Sequence, residues 1–459
     1  MRRDLSIILQ MGLAFAFIFS AFNSQGLIEI SVLRKLAEIS PETGITEASG
    51  YYSLSIVYFV FTMSNLIVPT LVKKLGTKWS QVCGAFCYLI FMLTFLRLSV
   101  SLLYFGSGVL GFGAALLWTG NGGYLVEFSR NGKLPRNSGI LWAMLQSSLI
   151  TGAFFLIYVL RNGDLTSNYK MVYTVFAGVS CLGIICLALL PSYPPQFEQQ
   201  FEEIVRSESQ ENLIDEARIS EEDDGTIVES VRAERPSVFA LLATQDMLCL
   251  SVTFLYTGFE MTFYTGVYTA CLSATLALKS YSDLVIPYNA LALGVGQIIG
   301  GVLTGPVLKR FNYTRSQIIL MGMIGHVLAF FLCFLMLPFD STIHPSDMIT
   351  YASPTLCLTL LIAFLLGYSD ACWQTQIYVV IGEMYKKDSV NAFAIYKFFQ
   401  SMAACISFYY SATLLLHWQL LILTVGCFLS AIFFLRIEFK NEIRNNPPVV
   451  VDNENAEQQ

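Results

Sequence analysis

Leu71-Val72-Lys73-Lys74-Leu75-Gly76-Thr77-Lys78 is a short basic stretch between two long apolar ones. It returns 236 residues later as Val307-Leu308-Lys309-Arg310-Phe311-Asn312-Tyr313-Thr314-Arg315, again between long apolar stretches. Two further matches hold the same order. Phe22-Asn23 recurs at a distance of 237 as Phe259-Glu260, and Asn137 with Gln146-Ser147 recurs at 254 as Asn391 with Gln400-Ser401. The wider last interval is explained by a polar segment at 339–354 in the second copy. The chain therefore reads as two copies of one unit in parallel.

Each unit holds six apolar stretches long enough to cross a bilayer, which takes about 20 residues of helix. They lie near 5–27, 51–71, 79–98, 101–126, 137–160 and 169–190, then 247–270, 284–308, 316–338, 355–380, 389–411 and 415–436. Hydrophobic residues make up 55% of the chain and charged ones 13%, against about 25% charged in soluble domains. Lipid cannot satisfy loose backbone polar groups, so each span is expected to be helical. The fold class is an all-α polytopic membrane protein of twelve transmembrane helices. Its domains are expected at 1–190 and 247–436, two six-helix halves, with a linker at 191–246 and a tail at 437–459. Two six-helix parallel repeats are the major facilitator arrangement.

Lys and Arg set the orientation. With the N-terminus in the cytosol, 20 of the 27 fall in cytosolic segments and 6 on the other side, with Lys397 inside a span. Both termini and the central linker are thus predicted to be cytosolic in an integral, multi-pass protein. The linker carries 13 acidic and 4 basic side chains over 191–236, a composition of solvated, disordered spacers. Ser220 there precedes Glu221-Glu222-Asp223-Asp224, an acidic context that kinases read. No cleavable signal peptide is expected, and the first span reads as a signal anchor. Eleven cysteines without a C-x-x-C pattern read as small apolar residues. The Asn312-Tyr313-Thr314 sequon falls on the cytosolic side, where it is not used. No basic face with interleaved aromatics supports nucleic-acid binding. No catalytic triad, metal-ligand spacing or phosphate cradle is present, so neither an enzyme nor a cofactor is expected.

The two basic loops resemble the major facilitator loop signature G-x-x-x-D-R-x-G-R-K. More specifically, the chain is similar to the uncoordinated-ninety-three-like, ion channel regulatory branch of that superfamily. The stretches that carry this likeness include Ser64-Asn65-Leu66-Ile67-Val68-Pro69, Arg136-Asn137-Ser138-Gly139-Ile140-Leu141-Trp142, Tyr256-Thr257-Gly258-Phe259-Glu260, Gly367-Tyr368-Ser369-Asp370 and Ala392-Phe393-Ala394-Ile395-Tyr396-Lys397. The resemblance implies the facilitator fold, with the first, fourth, seventh and tenth spans lining a central cavity and the eleventh bordering it. It also implies gate loops at Lys73, Lys74, Gly76 and Lys78 and at Lys309, Arg310, Asn312 and Arg315. The family signature has an acid where this chain has Lys73 and Lys309, and that acid normally helps latch the cytosolic gate. The fourth span also lacks the Arg of many proton-coupled facilitators. Some relatives regulate potassium channels, and others escort receptors between membranes.

Charges inside spans point to function, because each costs at least about 2.5–3.5 kcal/mol to insert. Glu260, Asp370 and Lys397 are such charges. Counted from the expected span ends, Asp370 and Lys397 lie roughly 15 and 12 Å deep. They are therefore expected to pair. Glu260, roughly 20 Å deep, is left alone as the candidate proton or cation site. The first half offers only neutral groups at the equivalent positions, and His326 and His417 read as packing or interfacial residues. Asn23, Gln25, Asn121, Gln146, Gln374, Gln376 and Gln400 supply cavity hydrogen bonding or ties between helices. The expected function is transport of a small solute by alternating access, coupled to protons. The alternative is a non-transporting subunit or chaperone of another membrane protein, such as a potassium channel.

Overall fold

A computed structural model describes residues 2–46, 49–129, 132–162, 165–192, 238–278, 284–307, 310–311, 313–343, 346–411 and 413–445. Most of the acidic linker with Ser220, the end of the tail, and Lys309 and Asn312 lie outside the described residues.

Each expected span coincides with a helical segment. In the first half these are α1 (Arg2–Ile39), α2 (Ser49–Ser64, continued by Val68–Leu75), α3 (Thr77–Thr94), α4 (Val100–Glu127), α5 (Leu134–Asn162) and α6 (Leu165–Ala188). In the second half they are α7 (Gln245–Thr262, continued by Tyr268–Ala274), α8 (Val285–Val302), α9 (Arg315–Met336), α10 (Leu356–Met384), α11 (Ser389–Ser411) and α12 (Leu416–Asn445). Among the described residues nine helices are long and apolar enough to cross a membrane, or ten if the two segments of α2, bent by 69°, count as one. The helices outside that count are α7 and α11. A π-helical turn at Phe263–Val267 interrupts α7, and Asn391, Lys397 and Gln400 dilute the apolar character of α11. These are the helices that carry Glu260 and Lys397.

Local chemistry sets the helix ends. Ser99, Thr244 and Thr355 cap the first turns of α4, α7 and α10. Thr314 and Gln317 form a reciprocal capping box at α9. Gly76, at φ +79°, takes the chain from α2 into α3, a conformation in which a Cβ is strained.

The repeat seen in the sequence is also a repeat of packing. Helix α1 packs on α5 and α6, α2 on α4, and α3 on α4 and α6. In the same pattern α7 packs on α11 and α12, α8 on α10, and α9 on α10 and α12. The halves meet through α2 with α11 and α5 with α8, again equivalent pairs. At the second contact a Cβ on Gly139 would lie 2.4 Å from the Gly301 carbonyl, so the two backbones touch. Such contacts replace the hydrophobic drive that is missing between helices in lipid.

We call the face on which α1 begins and α12 ends the terminal face. One apolar cluster runs from the first half into the terminal-face parts of α10 and α11, through Tyr378, Ile381 and Phe393. The Phe393 ring fills the space where Gly122 of α4 lacks a side chain. A second cluster, around Phe263, Phe330 and Leu366, belongs almost wholly to the second half. The apolar seal between the halves therefore lies toward the terminal face.

Candidate functional site: a buried polar chain

The three expected charges come together, though not in the expected pairing. Glu260, Asp370 and Lys397 are all buried. No carboxylate oxygen lies within ion-pair distance of Lys397 among the described residues. Its Nζ donates to Gln400 Oε1 at 2.7 Å and sits over the rings of Tyr396 at 4.3 Å and Trp118 at 4.5 Å. Gln400 Nε2 donates to Tyr396 Oη at 3.1 Å. Tyr396 Oη donates to Gln374 Oε1, and Gln374 Nε2 donates to Asp370 Oδ1 at 3.1 Å. Every donor points the same way, from ammonium to carboxylate. Asp370 and Lys397 are the two ends of a relay rather than a salt bridge.

Glu260 is not alone either. Its carboxyl lies beside that of Asp370. His326 Nε2 is 2.7 Å from Glu260 Oε2, close but out of line for a hydrogen bond, so neither Glu260 oxygen has an aligned partner. His326 Nδ1 and Tyr256 Oη are 2.7 Å apart. His326 is thus part of the polar chain, not the packing residue the sequence suggested. Its neighbourhood is aromatic, with Phe330 stacked on it and Trp373 edge-on to Tyr256. The chain runs from Trp118 of the first half into α9 of the second.

Helix ends explain the corrected pairing. Helix α10 runs to Met384, four residues past the expected end of that span. Asp370 is then fourteen residues in and Glu260 fifteen residues from Gln245, roughly 21 and 22 Å deep. Lys397 is eight residues from Ser389, roughly 12 Å. The two carboxyls share a level, and amide and phenol groups bridge the gap to the amine.

The first half is not free of buried charge, contrary to the expected asymmetry. Helix α1 extends twelve residues past its expected end, and Glu29 on the extension is fully buried. It accepts from Gln25 Nε2 at 2.6 Å and lies by Ser53 of α2. The other expected amides tie helices together. Asn23 donates to Ser148 at 2.9 Å, Asn121 reaches Met11 Sδ at 3.7 Å, and Gln146 donates to Gln297 across the two halves. Gln376 is buried and donates to Thr375 Oγ1 at 3.3 Å, outside the polar chain.

Of the expected gate residues, Lys73, Lys74 and Arg310 are exposed, Gly76 forms the turn, and Lys78 lies 4.9 Å from the Trp79 ring. Arg315 binds Glu383 of α10 and Glu438 of α12. It clamps the second half internally, and the acids come from helix ends instead of the loop. Thr77 donating to Glu127 at 2.7 Å joins α3 to α4 in the first half. All eleven cysteines are free thiols. Among the described residues no group of three or more His, Cys, Asp or Glu side chains could hold a metal.

The profile of a family described as ion channel regulatory protein UNC-93 matches residues 40–435. The chain belongs to the UNC-93 family. UNC93-like protein MFSD11 of Xenopus laevis is 33% identical over 444 residues, 95% of this chain and 96% of that protein. Protein unc-93 homolog A of Mus musculus is 23% identical over 488 residues, 96% and 94% of the two chains. Among solved structures the E. coli fucose:proton symporter FucP superposes with a TM-score of 0.59, covering 94% of this UNC-93 family chain and 99% of that one. At 13% identity this shows the major facilitator fold and nothing about substrate. This UNC-93 family member thus joins that family's sequence pattern to the major facilitator fold.

Proposed function

We propose that this protein carries a small solute across its membrane by alternating access, with a proton bound at the Glu260 carboxyl as the coupling ion. The supporting observation is the directional chain from Lys397, at the contact between the halves, to the Asp370–Glu260–His326 cluster inside the second half. Buried ionisable groups in membrane proteins mark ion and proton pathways. Glu260 is faced by Asp370 from α10 and by His326 from α9, and the phenol of Tyr256 on its own helix reaches His326. A proton arriving at Glu260 changes the charge beside Asp370, and the relay reports that change to Lys397. Halves that rock about α2–α11 and α5–α8 then open the site to one face or the other. The test uses sealed proteoliposomes carrying a pH-sensitive dye and challenged with fractionated metabolite pools. A pool that shifts lumenal pH with wild type should fail with Glu260→Gln. A Glu260→Gln response indistinguishable from wild type ends the proton-coupling reading.

A second reading is a regulatory subunit of an ion channel, favoured by the description attached to the family and by Lys73, which stands where the facilitator loop signature carries an acid. Cross-linking in native membranes, then mild-detergent purification and quantitative mass spectrometry, separates the two. A stoichiometric channel supports the subunit reading, and a chain recovered alone supports the transporter.

A further inference from the structure

We infer that Lys397 is the docking group for a small organic monoanion, so that the solute class of the proposed transport is a carboxylate-type anion. This rests on the transport reading and narrows it. An ammonium offers three donors. Among the described residues it has one hydrogen bond, to Gln400, the faces of Tyr396 and Trp118, and the more distant ring of Tyr378 at 5.9 Å. Ring faces hold a desolvated cation less firmly than a carboxylate in good geometry holds it. The group is 3% exposed, and a buried charge without a counter-ion is costly. Its arrangement is that of a cation parked against aromatic faces and able to exchange them for an anion.

Position supports the same assignment. Lys397 stands one helical turn from Phe393, which plugs the apolar seal against Gly122. Trp118 comes from the first half and Tyr396 from the second, so an anion that draws the ammonium off Trp118 also loosens a contact between the halves. The nearest acid, Asp370, is held at the far end of the Gln400–Tyr396–Gln374 relay and leaves the ammonium without a competing carboxylate. A solute cation would face the ammonium directly, and a neutral solute would leave its charge uncompensated.

The test is ligand-dependent thermal unfolding of the purified full-length protein in detergent. The probes are sodium benzoate, sodium lactate, benzamide and choline chloride, at matched ionic strength. Saturable stabilisation by benzoate or lactate is expected, with no shift from benzamide or choline. Lys397→Met should raise the half-saturating concentration at least about tenfold, the effect of losing one charge-assisted contact, whereas Lys397→Arg should keep much of the response. Variants are compared only where they elute as monodisperse protein with a cooperative transition; should Lys397→Met fail that criterion, Trp118→Phe and wild type carry the probe comparison. Stabilisation by choline or benzamide alone, by no probe, or by anions equally in Lys397→Met overturns the assignment. Because no gradient or transport is involved, failure here leaves the proton-coupling test standing. Anion binding without any proteoliposome response would retain the site and remove the transport reading.

Discussion

At the residue scale, the instructive group is His326. Read along the chain it is one polar side chain in an apolar helix, and such residues usually satisfy themselves locally. In the fold it touches Glu260 on one side and Tyr256 on the other. Removing one partner of a buried pair costs more than removing both, because the survivor loses its compensation. His326→Leu is therefore expected to lower thermal stability in detergent by on the order of 3 kcal/mol, and His326→Leu with Glu260→Gln should recover part of that loss. Purely additive losses would show that the two side chains do not interact. The relay makes a parallel prediction. Tyr396→Phe removes the one hydroxyl that joins Gln400 to Gln374. It should weaken the pH dependence of any transport response while leaving Lys397-dependent anion stabilisation largely in place. Equal loss of both would show that Tyr396 acts only as packing.

At the element scale, helix existence was legible and helix extent was not. Twelve apolar runs announce themselves because lipid rewards apolar side chains over about 20 residues. A helix does not stop where lipid stops. Helix α1 continues to Ile39 and α12 to Asn445, over residues polar enough to look like loop. That difference hid Glu29, which the sequence placed outside the span, and four residues at the end of α10 moved Asp370 from the level of Lys397 to that of Glu260. The charges inside the expected spans were found and Glu29 was not; partners depended on helix length, which hydropathy does not encode. Arg315 shows the same limit, because its acids lie 68 and 123 residues away. Arg315→Gln should leave Glu383 and Glu438 facing each other without the guanidinium that now binds both. A lowered melting temperature that high salt partly restores is expected, by screening of like charges. A salt-independent effect would point to lost packing instead.

At the scale of the whole molecule, the repeat was readable from three short matches because both halves use equivalent helices for equivalent contacts. The contact between the halves was not, since it depends on which glycines and hydroxyls face each other. Thr62 Oγ1 of α2 donates to Ser401 Oγ of α11 at 2.9 Å. Cysteines at both positions are expected to cross-link under mild oxidant and to abolish any transport response reversibly, with thiol reductant restoring it. Rapid cross-linking without functional effect would mean that the halves do not separate along that seam. The predicted orientation is checked by protease added outside sealed right-side-out cells. The chain should stay whole, and should be cut within 191–246 only after permeabilisation.

The π-helical turn in α7 follows Glu260 at once, with Phe263, Tyr264 and Val267 buried around it. An α-helix advances about 100° per residue and a π-turn less, so the five residues of this turn carry the chain about as far round as four do in a regular helix. Deleting a single residue within 263–267 would let the helix close into a regular spiral. The segment Tyr268–Ala274 would then keep its facing, with Tyr268 and Cys271 against their present neighbours and Glu260 in place; regularising the turn without a deletion would instead swing that segment by about 100°. The turn is thus a slot for one surplus residue: it can be filled or emptied without re-aiming either the carboxyl before it or the aromatic and thiol side chains after it.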